Sequence, residues 1–164
     1  MLSEYLSETL SLYIEEYYEP DEGFRRIITL EEPRLASFGR AMEASLPERL
    51  DTLDLSFRES LLLLIREKDL DETEVYKRAQ LDRRLFSKIR SNKDYRPAKT
   101  TVLALCIGME LTLDETEQLL RKAGFALSHS RKDDVIVEFF IRQSHYDLDA
   151  VNEALFRYDQ RLLS

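Results

Sequence analysis

Lysine and arginine side chains are concentrated between residues 77 and 99 of a chain that is otherwise acidic. This interval has nine basic residues against Asp82 and Asp94, a local balance of +7, while the 164 residues together carry a net charge of -8. Clustered guanidinium and ammonium groups can bind a polyanion, and a basic stripe is the usual electrostatic mark of a nucleic-acid interface. Charge alone leaves two other interpretations open, a solvated helix face and a face neutralised by other parts of the chain.

The N-terminal segment contains acidic residues that could neutralise the basic interval. These side chains could pair with Arg83 and Arg84, or they could cover the basic face when no ligand is bound. Under the second hypothesis, deleting residues 1–50 should raise the affinity for DNA, and an unchanged affinity would reject it. The acidic residues concerned are Glu15, Glu16, Glu19, Asp21, Glu22, Glu31 and Glu32.

Other kinds of chemistry have no support in the sequence. His129 and His145 lie far apart without cysteines or acidic residues at metal-ligand spacing, so no metal site is expected. No glycine-rich phosphate loop or catalytic motif occurs, and we predict neither a cofactor nor an enzyme activity. Cys106 lies in an apolar run and cannot form an internal disulfide, which favours a buried thiol in a reducing cytoplasm. No apolar run approaches a membrane span, and the first residues lack a signal-peptide pattern.

Hydrophobic spacing and capping signals predict an all-α protein whose helices are joined by short turns. The first helix has a tyrosine stripe (Tyr5, Tyr13 and Tyr17, with Tyr18 nearby), which we interpret as core packing or alternatively as an oligomer contact. Ser56 with Glu59 and Asp71 with Glu74 fit capping boxes, Asp82 fits an N-cap, and Phe86 and Ile89 should face inward. Residues 24–30 are ambiguous between a strand and irregular structure. Helices are predicted at 2–18, at 33–44, from Ser56 to a break at 68–70, from Asp71, at 83–90, from Pro97 to about Glu110 with Val102, Leu105, Cys106 and Met109 on one face, from Thr112 or Asp114 to Gly124, at 133–143 and at 147–158.

Residues 61–120 carry three runs that resemble a known family. They are Arg66-Glu67-Lys68-Asp69-Leu70-Asp71-Glu72 followed by Val75-Tyr76, Leu81-Asp82-Arg83-Arg84-Leu85-Phe86-Ser87-Lys88-Ile89, and Pro97-Ala98-Lys99-Thr100-Thr101-Val102-Leu103-Ala104-Leu105. Their order and spacing resemble the Cro/C1-type (XRE-like) helix-turn-helix family of bacterial and phage repressors. The resemblance implies a lambda-repressor-like five-helix core at 55–125. An acidic N-terminal helical arm at 1–54 and a C-terminal helical extension at 126–164, packed on the core, would flank it.

The resemblance implies binding of double-stranded DNA and transcriptional regulation. The helix at 82–90 would enter the major groove, where Arg83, Arg84, Ser87 and Lys88 would read base edges. Because repressors of this kind act as dimers on two half-sites, a homodimer through the helical extensions is also implied. Phosphate contacts would come from six further basic residues, Lys77, Arg78, Arg90, Lys93, Arg96 and Lys99.

Four positions depart from the family pattern. Glu72 replaces a phosphate-binding glutamine and would repel a phosphate, and Gln80 replaces the glycine of the turn. Tyr76 replaces a small alanine and could hold the two helices further apart, while Leu85 is expected on the outward side of the second helix. These departures leave an alternative function, in which the same surface is a non-enzymatic module that binds a protein partner.

Overall fold

The computed structural model describes residues 4–20 and 53–164, and these ranges contain eight α-helices and no β-strand. The all-α prediction is therefore confirmed at the level of fold class. The interpretations of residues 24–30 and 33–44 lie outside the described residues. In chain order the helices are α1 (Glu4–Tyr17), α2 (Phe57–Glu67), α3 (Glu72–Arg78), α4 (Arg83–Ser91), α5 (Lys99–Gly108), α6 (Leu113–Lys122), α7 (Lys132–Arg142) and α8 (Leu148–Arg157).

Side-chain caps fix the starts of the helices on the N-terminal half of the described core. Ser56 and Glu59 form the reciprocal capping box that the sequence predicts at the start of α2. Asp71 accepts hydrogen bonds from two backbone N–H groups of α3, but Glu74 does not return the bond, so the capping box predicted there is only an N-cap. Asp82 accepts one hydrogen bond from the backbone N–H of Arg84 at 2.6 Å. Thr112 and Glu115 form a second capping box at α6. These caps satisfy backbone donors that a helix start leaves without partners.

Six helices end at a residue in the left-handed backbone region, and only one of these residues is a glycine. In the turn between α3 and α4, Gln80 has φ of 51°, and the backbone N–H of Leu81 donates to the carbonyl of Tyr76 at 2.9 Å. This six-to-one hydrogen bond stops a helix and reverses the chain tightly. The same arrangement explains how a chain with four glycines makes so many short helices. The residues with positive φ are Asp69, Gln80, Glu110, Gly124, Ser144 and Asp159.

The helix α5 lies at the centre of the described core and contacts α3, α6 and α8. We expected one apolar face on this helix, but every residue from Thr101 to Gly108 is buried, so that expectation was too narrow. Burial raises the pKa of the Cys106 thiol to about 12, which agrees with a structural role for this cysteine. A Cβ placed on Gly108 would lie 2.8 Å from the backbone nitrogen of Ala79, so glycine permits the close approach of α5 to the end of α3.

The helix α1 packs on α7 across a long sequence separation. Leu10 and Ile14 supply its buried face, and Tyr13 and Tyr17 are partly buried with stacked rings at 4.4 Å. Tyr5 is 77% exposed, so the core-packing interpretation of the tyrosine stripe was wrong for this residue. Among the helices of the described ranges, none has both the length and the apolar character that a bilayer span requires.

Candidate functional site

The helix α4 is strongly amphipathic, and its orientation follows from two buried residues. Phe86 and Ile89 face the core, as the sequence predicts, and α4 packs against α2. The four residues predicted to read bases all lie on the opposite, exposed side of the helix. We call this surface the basic face; its residues are Arg83, Arg84, Ser87 and Lys88.

The charged groups of the basic face form no ion pairs within the described ranges. Arg83 and Arg84 have no side-chain hydrogen bond or ion pair to another described residue. Of the acidic N-terminal residues proposed to neutralise them, only Glu15, Glu16 and Glu19 are described, and none reaches either arginine. The Lys88 ammonium lies 4.7 Å from the centre of the Tyr95 ring, a cation–π contact that holds the lysine on the loop after α4.

The residues predicted to contact phosphates divide into two groups. Lys77, Lys93 and Arg96 are exposed, and none of them has an ion pair with a described residue. The other three lie against carboxylates, with nitrogen–oxygen distances of 3.0 Å for Arg78 and Glu110, 2.9 Å for Arg90 and Glu72, and 2.6 Å for Lys99 and Asp134. Half of the predicted phosphate-binding residues therefore have no carboxylate partner among the described residues.

Lys99 differs from the other five because its partner is buried. The Asp134 side chain is fully inaccessible, and only 20% of the Lys99 side chain is exposed. A buried carboxylate that loses its cation is costly, so this pair holds Lys99 in the interior and away from a surface ligand. Burial raises the pKa of Asp134, and this effect outweighs the hydrogen bond from Lys99, which lowers the pKa.

A cleft of about 430 Å³ separates the start of α3 from the exposed side of α4. Arg83, Ser87 and Arg90 line one wall, and Glu72 and Thr73 line the other. The Glu72 carboxylate accepts a hydrogen bond from Arg90 across this cleft. Glu72 therefore places a negative charge beside the basic face.

Two of the other unusual residues pack within the protein. The Tyr76 ring is partly buried, and its centre lies 5.7 Å from the centre of the Phe86 ring, so it fills the space between α3 and α4. Leu85 is also partly buried and packs against the hydrophobic core, which corrects our expectation that it faces outward.

Arg58 is a contributor that the sequence did not reveal. Its Nε donates to the backbone carbonyl of Arg90 and thereby ties α2 to the end of α4. The two residues are 32 positions apart, and no local pattern links them. The contact shows that the orientation of α4 depends on α2 as well as on the turn that precedes it.

A second group of charged residues lies beneath α1 and was not recognised from the sequence. Glu138 on α7 accepts hydrogen bonds from Tyr13 at 3.0 Å, from Arg142 at 2.7 Å and from the His129 ring at 2.7 Å. Burial alone would raise the pKa of Glu138, but these three hydrogen bonds outweigh it and lower the pKa. Burial, followed by the charge of Glu138, raises the pKa of Tyr13.

Asp134 extends this group along α7, four residues before Glu138. It accepts hydrogen bonds from Lys99 and from the backbone N–H of Ser128 at 2.9 Å. We call Asp134 and Glu138 with these partners the buried acid cluster. Glu138 lies within the apolar run from Val135 to Ile141, and this is the signal that could have identified it, because an acidic residue is buried only when it is paired. Asp134 follows three charged residues and gives no such signal.

Neither group of charges resembles a metal centre. Within residues 4–20 and 53–164, no three histidine, cysteine, aspartate or glutamate residues are grouped so that they could hold a metal ion. Comparison of the chain with protein-family models, with curated proteins and with solved structures found no match. A functional assignment therefore has to rest on the chemistry of the residues themselves.

Proposed function

We propose that the protein binds double-stranded DNA and regulates transcription in a bacterial cytoplasm. In this proposal α2 to α6 form a lambda-repressor-like core of the Cro/C1 (XRE-like) type, and α3 and α4 are its helix-turn-helix. The helix α4 enters the major groove. There Arg83 and Arg84 offer the paired donors that recognise guanine, while Ser87 and Lys88 contact neighbouring base edges.

The observation that carries the proposal is the division of α4 into two sides. The apolar side chains that hold the helix in the protein, Phe86 and Ile89, leave the opposite basic face free for a ligand. Arg83 and Arg84 are exposed without a carboxylate partner among the described residues. A basic face that served only the stability of the fold would be expected to pair with the many carboxylates of this acidic chain.

The contacts around α4 show which of the six basic residues are best placed to contact phosphates. Lys77, Lys93 and Arg96 are the best candidates, because they are exposed and have no ion pair to break within the described ranges. Arg90 and Arg78 would first have to leave Glu72 and Glu110. Lys99 is not a candidate for a phosphate contact, because its ammonium forms an ion pair with the buried Asp134.

Fluorescence anisotropy with labelled duplexes at several salt concentrations tests the proposal. Affinity should fall as salt rises, with a log–log slope of roughly -0.9 for each phosphate neutralised. The double variant Arg83→Ala/Arg84→Ala should bind at least about 30-fold more weakly and lose sequence preference, because each of the two bidentate arginine–guanine contacts contributes about 1–3 kcal/mol. Arg121→Ala is the matched control, since Arg121 is an exposed arginine on α6. Absence of binding to any duplex at low salt would contradict the proposal.

The alternative function is a module that binds a protein partner through the same helices. The specific observation in its favour is Glu72, whose carboxylate lies 2.9 Å from Arg90 in the cleft beside the basic face. A carboxylate at this place repels phosphate but can pair with a basic residue of a protein. Glu72→Gln separates the two functions, because it should strengthen DNA binding several-fold and should weaken or leave unchanged the binding of a protein.

A further inference from the structure

The outer face of α1 combines exposed apolar side chains with negative charge. Tyr5 and Leu12 are 77% and 66% exposed, and they lie seven residues apart, about 10 Å along the helix. Leu10 and Ile14 already bury the other side of α1 against the protein. The helix is therefore apolar on two sides, of which only one is covered. The acidic residues on its exposed side are Glu4, Glu8, Glu15 and Glu16.

A groove on α2 has the complementary combination of apolar and positive side chains. Leu55 is 50% exposed and Leu63 is 38% exposed, and Arg58 and Arg66 lie in the wall of the same groove. The one carboxylate in the wall, that of Glu59, already accepts hydrogen bonds from the backbone N–H and the hydroxyl of Ser56. With two arginines against this one carboxylate, the net charge of the groove wall is positive.

We propose that these two surfaces bind each other between copies of the chain. The outer face of α1 in one copy lies in the α2 groove of the next copy. Tyr5 and Leu12 contact Leu55 and Leu63, and the glutamates of α1 face Arg58 and Arg66. The spacing fits this arrangement, since Glu8 and Glu15 are seven residues apart and the two arginines are eight apart, two helical turns in each case.

The same contact cannot form within one copy while α1 keeps its observed position. Tyr13 is hydrogen-bonded to Glu138, and Ser11 is hydrogen-bonded to Tyr158, so α1 is held on α7 with its outer face turned away from the protein. The Arg157 guanidinium also donates to Ser7. A second copy is thus the occupant whose chemistry is already present in this sequence.

The proposed contact joins two different surfaces and is therefore heterologous. Such a contact produces either a closed ring or an open chain of copies, depending on the rotation between neighbours. It uses none of the residues of the basic face, so its failure would leave the DNA-binding proposal unaffected.

Sedimentation of the full chain tests the contact. The mass-average mass should rise between about 10 μM and about 500 μM, since small interfaces associate weakly. Two variants each remove one surface by exposed substitutions, Glu8→Lys/Leu12→Lys on α1 and Leu63→Glu/Arg66→Glu on α2. Each should associate at least ~10-fold more weakly than the unchanged chain. Arg121→Glu reverses a charge on α6 and should leave association unchanged.

Mixing the two variants gives the decisive result. The first retains an intact α2 groove and the second retains an intact α1 face, so one contact can form, and the mixture should contain a one-to-one dimer. Circular dichroism should show equal helix content in both variants. An unchanged chain that stays monomeric throughout the concentration range would overturn the proposal, and so would a mixture that stays monomeric.

Discussion

The basic face of α4 and the buried acid cluster of α7 both concentrate charge, but the charges of the first are exposed and those of the second are buried and paired. On α4, Arg83 and Arg84 are exposed without a partner among the described residues. On α7, Glu138 is almost fully buried and accepts hydrogen bonds from three side chains. The difference indicates that partnering, more than local charge density, separates residues that hold the fold from residues available to a ligand.

Lys99 shows why this distinction matters. By sequence it is the last member of the basic interval, yet its ammonium contacts Asp134 and so belongs to the buried acid cluster. Two residues of the same type, such as Lys99 and Lys93, therefore have different roles within one stretch of chain. Substitutions in the two regions should accordingly differ in whether they change stability or binding.

The largest effect is expected for Lys99→Met, which removes the hydrogen-bonded cation of the buried Asp134 and leaves only the Arg131 guanidinium, 4.0 Å away, beside it. The free energy of unfolding at neutral pH should fall by about 3 kcal/mol, as measured by urea denaturation. Burial raises the pKa of Asp134 and Lys99 lowers it, so without Lys99 the folded chain should bind a proton at Asp134 more tightly than the unchanged chain does. The loss should therefore become smaller as the pH is lowered through the pKa of Asp134 in the variant.

Lys122→Met is the matched control for that experiment. Lys122 contacts Asp54 at 2.9 Å, but 88% of the Asp54 side chain is exposed. An exposed ion pair of this kind contributes about 0–1 kcal/mol. Equal losses in the two variants would show that burial of the carboxylate does not distinguish them.

A smaller effect is expected for Glu138→Gln, which keeps the size of the side chain and removes its charge. The partners Arg142, His129 and Tyr13 lose a charged acceptor, so the variant should be about 2 kcal/mol less stable at neutral pH. The pKa of Glu138 is lowered by folding, so its contribution is present above the ordinary carboxyl pKa and is lost as the pH falls through the lowered value.

Urea denaturation across the acidic range checks the Glu138 prediction. The difference in stability between the two proteins should disappear at low pH, where the carboxyl of Glu138 is protonated. A constant difference at every pH would mean that packing, and not the charge, accounts for the role of Glu138.

The smallest effect on stability is expected for the double variant Arg83→Ala/Arg84→Ala. Both side chains are exposed, so the free energy of unfolding should change by no more than about 0.5 kcal/mol. The same variant carries the large loss of DNA affinity that the proposed function predicts. A substantial loss of stability would show that the basic face has a structural role, and the contrast between the two regions would fail.

Helix positions were predictable from the sequence where local chemistry determines them. Ser56 with Glu59 forms a capping box, and Phe86 and Ile89 face inward, because a cap depends on three neighbouring residues and a face on the helical repeat. Confirmation of these elements supports the all-α class. The lambda-repressor-like arrangement is a property of tertiary packing and remains part of the proposal.

The partners of charged residues could not be read from local sequence. Lys99 and Asp134 are 35 residues apart, Tyr13 and Glu138 are 125 apart, and both pairs depend on how distant helices pack. Leu85 illustrates the same limit, because helical spacing gives its direction but not which neighbouring element covers it. Exposure of the basic face was predictable, whereas the neutralisation of Arg78 and Arg90 was not.

The residues with left-handed backbone conformation that follow six of the helices would suit amino acids of the opposite handedness. At five of these positions an L-amino acid adopts a backbone twist that its mirror image would adopt without strain. Asp69 is the simplest case, because its side chain is exposed and has no ion pair within the described ranges. A chemically synthesised chain with D-aspartate at this position should keep the same turn and relieve its local strain.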